Sequence, residues 1–470
     1  MRALRIALAA LFATLACAAP ARDLPATVRQ ALARANVPLD AVSAIVEPVE
    51  RGGAIVAHLP TEPRNPASVM KLVTTYAALE LLGPAFTFHT DALAAGEPVG
   101  GVLEGNLWLR GGGDPKLTFE QLWMMAHDLR SRGLREIRGD VVVDRGYFAP
   151  AEHDPARFDG EPRRAYNVGP DALLVNFHAI DFRFVPTEAG VRVVAVPDLP
   201  NVEIVSRVKP TGEACGAWRR NVRYAIDEQG MLATATFEGS YPRACGEQDW
   251  PLSVFDSAHF TESVWRWTWS ETGGVLRGTV RAGATPEDAR LVLRHDSEPL
   301  ANLVRDMNKF SNNVMARQIF LALSAERLRT AGEAQASARV IRDWLADKRI
   351  DAGGFVIENG AGLSREDRVS AATLTALLRE AWSSRVMPEF VASLPIFGTD
   401  GTLKARESLS AAGFAHLKGG TLTGVQSMAG YVLDRMGRRW IVVMLVNHAN
   451  ANGAQTALDA LVEWVREGPR

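Results

Sequence analysis

The stretch NPASVMK at residues 65–71 opens the first long helical pattern of the chain, which runs from Val69 to Leu82. Ser68 and Lys71 are three positions apart, so a helix places both side chains on one face. A serine hydroxyl becomes nucleophilic when a base takes its proton, and a lysine serves when burial or a nearby cation lowers its pKa. The pair alone is a weak signal, because Ser-x-x-Lys is expected about once by chance in a chain of this length.

Two later segments carry residues that suit the same chemistry. Ser311 and Asn313 stand between two predicted helices, where a hydroxyl could pass a proton to a leaving amine and a carboxamide could hold a carbonyl. Helix capping is the competing interpretation of that pair. Lys418, Gly420 and Thr421 enter a predicted C-terminal strand, where a cation suits a carboxylate and a backbone N–H could stabilise an oxyanion. A glycine turn with an exposed lysine is the alternative there.

The composition narrows the class of protein. The 470 residues are 47% hydrophobic and 23% charged, and the formal net charge is -2. Nucleic-acid binding depends on a basic surplus, so no nucleic-acid partner is expected. The sequence has no H-E-x-x-H motif and no Cys/His cluster, so neither a metal nor another cofactor is expected. It also lacks the G-x-S-x-G elbow of α/β-hydrolases.

The N-terminus predicts export. Residues 1–21 combine a short basic region, the apolar run Ile6–Ala16 and small residues, as a secretory signal peptide does. Cys17 raises lipidation as an alternative, although the residues before it fit a lipoprotein signal poorly. In an exported chain Cys215 and Cys245 are expected to form a disulfide, two buried free thiols being the alternative.

Periodicity divides the chain into three parts. Ala41–Ala57 reads as two short strands, and helices dominate again from Leu300 until a terminal hairpin and helix. Between them, residues 87–280 read as β-rich with one helix at Phe119–Arg132, and Val264–Trp269 is taken as a strand. Helix-rich α/β material at both ends thus predicts one domain that is split by a large insertion.

The three motifs together resemble the set found in penicillin-binding proteins and class A β-lactamases. Ser311 follows Ser68 by 243 positions, a spacing similar to that of class C low-molecular-mass penicillin-binding proteins, a D-alanyl-D-alanine carboxypeptidase/endopeptidase family. Further segments similar to that family are NPAS at 65–68, GGDP at 112–115, GDVVVD at 139–144, YNVGP at 166–170, NKFSNN at 308–313, ENGAGLSR at 358–365, LP at 394–395 and GTDGTL at 398–403.

The resemblance implies a multi-domain α/β fold. A serine β-lactamase/transpeptidase-like catalytic domain, an antiparallel sheet flanked by helices, would carry inserted β-rich domains. The implied boundaries are 22–85 and 289–470 for the catalytic domain, 86–177 and 260–288 for insert domain II, and 178–259 for a nested domain III. A periplasmic location, peptidoglycan peptide substrates and β-lactam inhibitors are also implied, and a homodimer and a weak membrane association stay open.

The resemblance also assigns roles. Lys71 would deprotonate Ser68, Ser311 would relay a proton to the leaving amine, and Asn313 and Lys418 would position the substrate. The N–H of Ser68 and that of Thr421, which follows Gly420, would hold the oxyanion.

Two residues outside these motifs, Asp144 and Arg365, would line the cleft and contact the peptide stem, a structural ion pair or surface charge being the alternative for each. The chain departs from the family pattern twice, since Asn312 replaces the usual Asp and Gly419 replaces the usual Thr.

These residues predict a penicillin-sensitive serine D-alanyl-D-alanine carboxypeptidase/endopeptidase that forms an acyl-enzyme on Ser68. A β-lactamase is the first alternative, but it needs a deacylating Glu on a loop, and no convincing equivalent is present. A catalytically weak peptidoglycan-binding scaffold is the second, and Asn312 and Gly419 are the departures that favour it.

Overall fold

The computed structural model describes residues 23–50 and 53–469. The predicted signal peptide at residues 1–21, with Cys17, lies outside the described residues. Among the helices that are described, none is long and apolar enough to cross a membrane.

The elements alternate between helix-rich and strand-rich stretches. The helices are α1 Ala26–Arg34, α2 Lys71–Leu81, α3 Phe119–Ser131, α4 Ser257–Glu271, α5 Leu300–Lys309, α6 Asn313–Leu328, α7 Ala334–Asp347, α8 Ala371–Ser383, α9 Met387–Ser393 and α10 Gln455–Glu467. The strands are β1 Val42–Pro48, β2 Val56–His58, β3 His89–Ala94, β4 Val102–Leu103, β5 Leu107–Gly111, β6 Glu136–Ile137, β7 Val141–Asp144, β8 Ile180–Thr187, β9 Gly190–Val196, β10 Val202–Thr211, β11 Val222–Gln229, β12 Leu232–Pro242, β13 Gln248–Leu252, β14 Val275–Leu276, β15 Val280–Ala282, β16 Arg290–Asp296, β17 Ala415–Leu422, β18 Val425–Leu433 and β19 Arg439–Asn447.

A five-stranded antiparallel sheet joins the two ends of the chain in the order β17-β18-β19-β1-β2. On β19, Ile441 and Val443 pack among α2 and α5–α9, whereas Val442 and Met444 pack with α1 and α10 on the opposite face. A strand that is covered on both faces has no polar side, which explains its continuous apolar sequence. The predicted α/β fold, split by an insertion, is therefore confirmed.

The insertion leaves and re-enters the catalytic half at one place. The backbone N–H of Ser297 donates to Phe88 O (2.9 Å), and that of Leu300 donates to Phe86 O (2.8 Å). Inside the insertion, β15, β7, β5, β3 and β16 form a second five-stranded sheet, and α3 and α4 share its apolar core. Because β16 pairs with β3, this sheet extends to residue 296 rather than ending at the expected boundary of 288.

Two three-stranded sheets, β13-β8-β9 and β10-β12-β11, form the nested β-rich part. Their inner faces share an aromatic core in which Phe184 contacts Phe237, Tyr241 and Trp250. Cys215 and Cys245 are joined by a disulfide with their Cα atoms 4.7 Å apart.

The strand predicted at Val264–Trp269 is wrong, because this segment belongs to α4. The side chain of Asp256 caps the helix by accepting from the N–H of His259 (2.8 Å), as a helix N-cap does. Trp265 and Trp269, four positions apart, stack in the core with ring centroids 6.0 Å apart. The alternation of tryptophans imitates a strand, but the residues that are buried follow helical spacing.

We expect that replacing Cys215 and Cys245 by Ser destabilises the nested part. The disulfide spans 30 positions, and opening such a loop costs about 3–4 kcal/mol in the chain-entropy model. Urea unfolding followed by tryptophan fluorescence would measure the loss. An unchanged unfolding midpoint in the double variant would contradict the expectation.

Candidate active site

Ser68 lies in a 3₁₀ turn, Ala67–Met70, directly before α2. Asn447, at the end of β19, holds Asn65, two positions before this turn, through two hydrogen bonds. Its Oδ1 accepts from the N–H of Asn65 (2.7 Å), and its Nδ2 donates to Asn65 O (2.9 Å). Ala67 has a φ of 46°, and a Cβ on Gly362 would lie 1.9 Å from its carbonyl oxygen. The central sheet and the loop that contains Gly362 therefore fix the position of the serine.

Lys71 is fully buried and its Nζ makes three contacts. It donates to Ser68 Oγ (3.1 Å), Asn313 Oδ1 (2.6 Å) and the carbonyl oxygen of Ala361 (2.6 Å). The predicted Ser68–Lys71 pair is thus in direct contact, and Asn313 joins it from the start of α6. The amine is within reach of the proton that it would take from the serine.

The surroundings of Lys71 favour its neutral form. Burial lowers the pKa of Lys71 well below its usual value, and the charges of Lys418 and Arg317 lower it further, while Asp367 acts in the opposite direction. A lysine with a lowered pKa is a competent general base.

Lys418 is a second fully buried lysine and is positioned by β17. Its Nζ donates to Ser311 Oγ (2.9 Å) and to the carbonyl oxygen of Gly419 (2.7 Å). Burial lowers the pKa of Lys418 to about 7. Ser311 has a φ of 55° at the junction of α5 and α6, which is a strained region for a serine. The contact links this hydroxyl to a proton donor.

The edge of β17 approaches Ser68 closely at Gly420. A Cβ at this position would lie 2.4 Å from Ser427 Oγ, 2.7 Å from Pro66 O and 2.8 Å from the backbone nitrogen of Ser68. Only glycine allows this approach. A cleft of about 210 Å³ opens here, and its lining includes Ser68, Ser311, Gly420 and Thr421.

The two departures from the family pattern have different structural settings. Asn312 is the N-cap of α6, and its side chain accepts from the N–H of Met315 (3.0 Å). Asn and Asp are similarly good caps, so this replacement keeps the structural role. At Gly419, a Cβ would meet only Leu403 Cδ2 at 3.5 Å among close side chains, so the smaller residue leaves open space in the cleft wall.

Asp144 is not among the residues that line this cleft. Its carboxylate accepts from the N–H groups of Gly146 (2.9 Å) and Thr285 (2.8 Å), and it borders a different cavity, between the insertion and the end of α6. The structure therefore places Asp144 on that cavity and not in the lining of the 210 Å³ cleft, and its contact with the peptide stem stays a prediction.

Arg365 is exposed, donates to the carbonyl oxygen of Thr423 (3.0 Å) and lies over the ring of Phe158 at 4.6 Å. The hydrogen bond ties it to the turn that follows β17, and the ring contact ties it to the insertion. It is also absent from the lining of the 210 Å³ cleft.

Two charged residues near the site were missed by sequence reasoning. Arg317 is 8% exposed and donates to Val168 O (2.6 Å). Asp367 is fully buried, and burial raises its pKa to about 7. Asp367 closely follows the ENGAGLSR segment at 358–365, and this position in the sequence was the one signal that could have identified it as a site residue. Arg317 gave no such signal, because no local sequence pattern distinguishes a buried charged residue from an exposed one.

A model described as the D-Ala-D-Ala carboxypeptidase 3 (S13) family matches residues 24–468. The chain belongs to this family. It is a serine-type D-Ala-D-Ala carboxypeptidase of the penicillin-binding class, hence a peptidase and a hydrolase.

Curated relatives share this description. The D-alanyl-D-alanine carboxypeptidase of Actinomadura is 29% identical over 420 residues, which cover 86% of this chain and 77% of that protein. The D-alanyl-D-alanine carboxypeptidase DacB of Haemophilus influenzae is 26% identical over 395 residues, covering 81% of this chain and 80% of that one.

Solved structures share the fold. Penicillin binding protein 4 from Haemophilus influenzae matches with a TM-score of 0.77 at 21% identity, over 93% of this carboxypeptidase and 99% of that chain. A predatory peptidoglycan endopeptidase from Bdellovibrio bacteriovorus matches with a TM-score of 0.53 at 13% identity, over 92% of this chain and 94% of that one.

We expect Gly420→Ala to slow the acylation of this carboxypeptidase by penicillin by roughly 100-fold or more, because the new methyl group pushes β17 away from the oxyanion position. Gly419→Ala is the matched control, since its Cβ meets ordinary contacts at 3.5 Å. Stopped-flow measurement of acylation tests both. Equal rates in the two variants would contradict the proposed approach of β17.

Arg317→Gln is expected to move the acid limb of acylation to higher pH, because losing a nearby cation raises the pKa of Lys71. The base then becomes protonated at a higher pH than in the native protein. The control is Arg305→Gln, whose side chain is 61% exposed. An unchanged limb, or one moved to lower pH, would contradict this account.

Proposed function

We propose that this carboxypeptidase cleaves the terminal D-alanine of peptidoglycan stem peptides, and D-centred cross-links, through an acyl-enzyme on Ser68. The observation that carries the proposal is the contact between the buried Lys71 amine and Ser68 Oγ at 3.1 Å. A peptide carbonyl can reach that hydroxyl through the cleft between Ser311 and β17.

The proposed steps follow from these contacts. Lys71 takes the proton of Ser68, and the Oγ–carbon bond forms while the backbone N–H groups of Ser68 and Thr421 stabilise the oxyanion. The carbon–nitrogen bond then breaks, and the leaving amine receives a proton that the Lys71 amine and the Ser311 hydroxyl relay. Water hydrolyses the ester, which releases a peptide carboxylate and restores Ser68.

Two residues position the substrate in this proposal. Asn313 holds Lys71 through Oδ1, and its amide group would donate to a substrate carbonyl. Lys418, besides its bond to Ser311, supplies the positive charge that a substrate carboxylate needs. Arg365 would contact the stem from the loop before α8, where its side chain donates to Thr423 O in the turn after β17.

β-Lactams would acylate Ser68 and block it. One solved relative, penicillin binding protein 4 from Haemophilus influenzae, is described in complex with a β-lactam. The predicted signal at residues 1–21 would deliver the enzyme to the periplasm, where its substrate lies. The homodimer and the weak membrane association stay predictions.

Incubation with benzylpenicillin followed by peptide mapping tests the mechanism. We expect one adduct, on Ser68, in the native protein and in Ser311→Ala, with slower formation in that variant. Ser68→Ala should form none.

An adduct on another residue would contradict the proposal, and rapid hydrolysis of nitrocefin would favour a β-lactamase instead. Peptidoglycan binding without any acylation would favour the scaffold.

A further inference from the structure

A row of alternating charges crosses the sheet of the insertion. Asp144 on β7, Arg110 on β5, Asp91 on β3 and Arg294 on β16 are direct neighbours in register on adjacent strands. The row lines a cavity of about 580 Å³, a size typical of ligand-binding pockets. The proposed mechanism uses none of these four side chains.

The acceptors of this row are already occupied. Asp91 is 4% exposed and accepts from Arg110 Nη2 (2.8 Å) and from Arg294 Nε (2.8 Å) and Nη2 (3.0 Å). Asp144 accepts two backbone N–H groups, from Gly146 and Thr285. Both carboxylates are thus satisfied without a ligand.

The donors are not exhausted. A guanidinium offers five N–H donors, yet within the described part of the chain Arg110 donates one hydrogen bond and Arg294 two. Their side chains are 46% and 44% exposed. Arg329, at the end of α6, adds a third guanidinium that is 82% exposed and donates to Glu326 Oε2 (3.2 Å), a third carboxylate of the lining. The carboxylates balance the guanidinium groups in charge, but they leave most of the guanidinium N–H donors without a protein acceptor among the described residues, and a planar oxyanion fits these donors.

The cavity is distinct from the catalytic cleft. The two share no lining residue. Asn313 begins α6 beside Ser68, whereas Glu326 and Arg329 border the cavity near the other end of this 16-residue helix. Glu326 follows Asn313 by 13 positions along the helix, roughly 20 Å at the helical rise of 1.5 Å per residue.

We propose that this cavity is a second binding site for peptidoglycan, which takes the C-terminal carboxylate of another peptide stem between Arg110, Arg294 and Arg329. The inference rests on the proposed function, because the reaction itself produces stems that end in a carboxylate. Phe86 and Tyr147, which are partly buried, supply an aromatic wall for the apolar part of the stem. Occupation of both sites would hold a polymer near Ser68 and raise its effective concentration there.

The test uses the full chain with its active site blocked. After acylation of Ser68 with benzylpenicillin, a stem peptide that ends in a single D-alanine is titrated by calorimetry. We expect one remaining site, weakened by roughly 10-fold in Arg110→Gln, as for the loss of charge-assisted hydrogen bonds. Arg281→Gln is the matched control, since Arg281 is 50% exposed and bonds one aspartate, Asp140, on the same sheet.

A second readout compares substrates. Arg110→Gln should lower kcat/KM for soluble peptidoglycan strands several-fold and leave that for a short D-Ala-D-Ala peptide unchanged. If this variant fails to fold, Arg329→Gln gives the same comparison at an exposed position. The inference is overturned if the blocked enzyme binds no peptide, if it binds inorganic phosphate but not the peptide, or if Arg281→Gln weakens binding equally. Failure of penicillin to acylate Ser68 would instead contradict the proposed function.

Discussion

The burial of two lysine amines beside one serine is the constraint on which the rest of this structure depends. A buried ammonium costs several kcal/mol unless it is hydrogen-bonded or neutral, and both Lys71 and Lys418 are fully buried. Lys71 finds its acceptors in three separate segments, at Ser68, Asn313 and Ala361. Lys71 therefore has its low-pKa environment only when helix α2, the α5–α6 junction and the loop before α8 have all assembled.

The central sheet supplies the rigidity that this arrangement needs. Its strands are covered by helices on both faces, and Asn447 at the end of β19 fastens the turn that presents Ser68. β17 then brings Lys418 and Gly420 to the same turn from the other side. Because Gly420 has no side chain, the strand can lie close to the backbone nitrogen of Ser68, as the proposed oxyanion hole requires.

The insertion does not disturb the geometry at Ser68, because the chain leaves the catalytic domain and returns to it at one place. Backbone hydrogen bonds from Ser297 and Leu300 to Phe88 and Phe86 join the outgoing and returning segments. The two parts of the catalytic domain can therefore pack together independently of the sequence of the insertion. The insertion is thereby free to carry its own surfaces. The charged row on its sheet would extend recognition from a single peptide to a polymer with many stems.

The sequence by itself determined the three motifs, the split domain and most helices, since these depend on residue type, order and local periodicity. Helix α3, predicted at Phe119–Arg132, is found at Phe119–Ser131. The tertiary structure decided what local patterns do not encode. Val264–Trp269 is helical because its tryptophans are buried against residues that are distant in the chain. Asp144 lines a cavity other than the serine cleft, and Asp367 and Arg317 are buried near Lys71. Burial and the pKa of each group depend on neighbours that are distant in the chain, and only the folded arrangement specifies them.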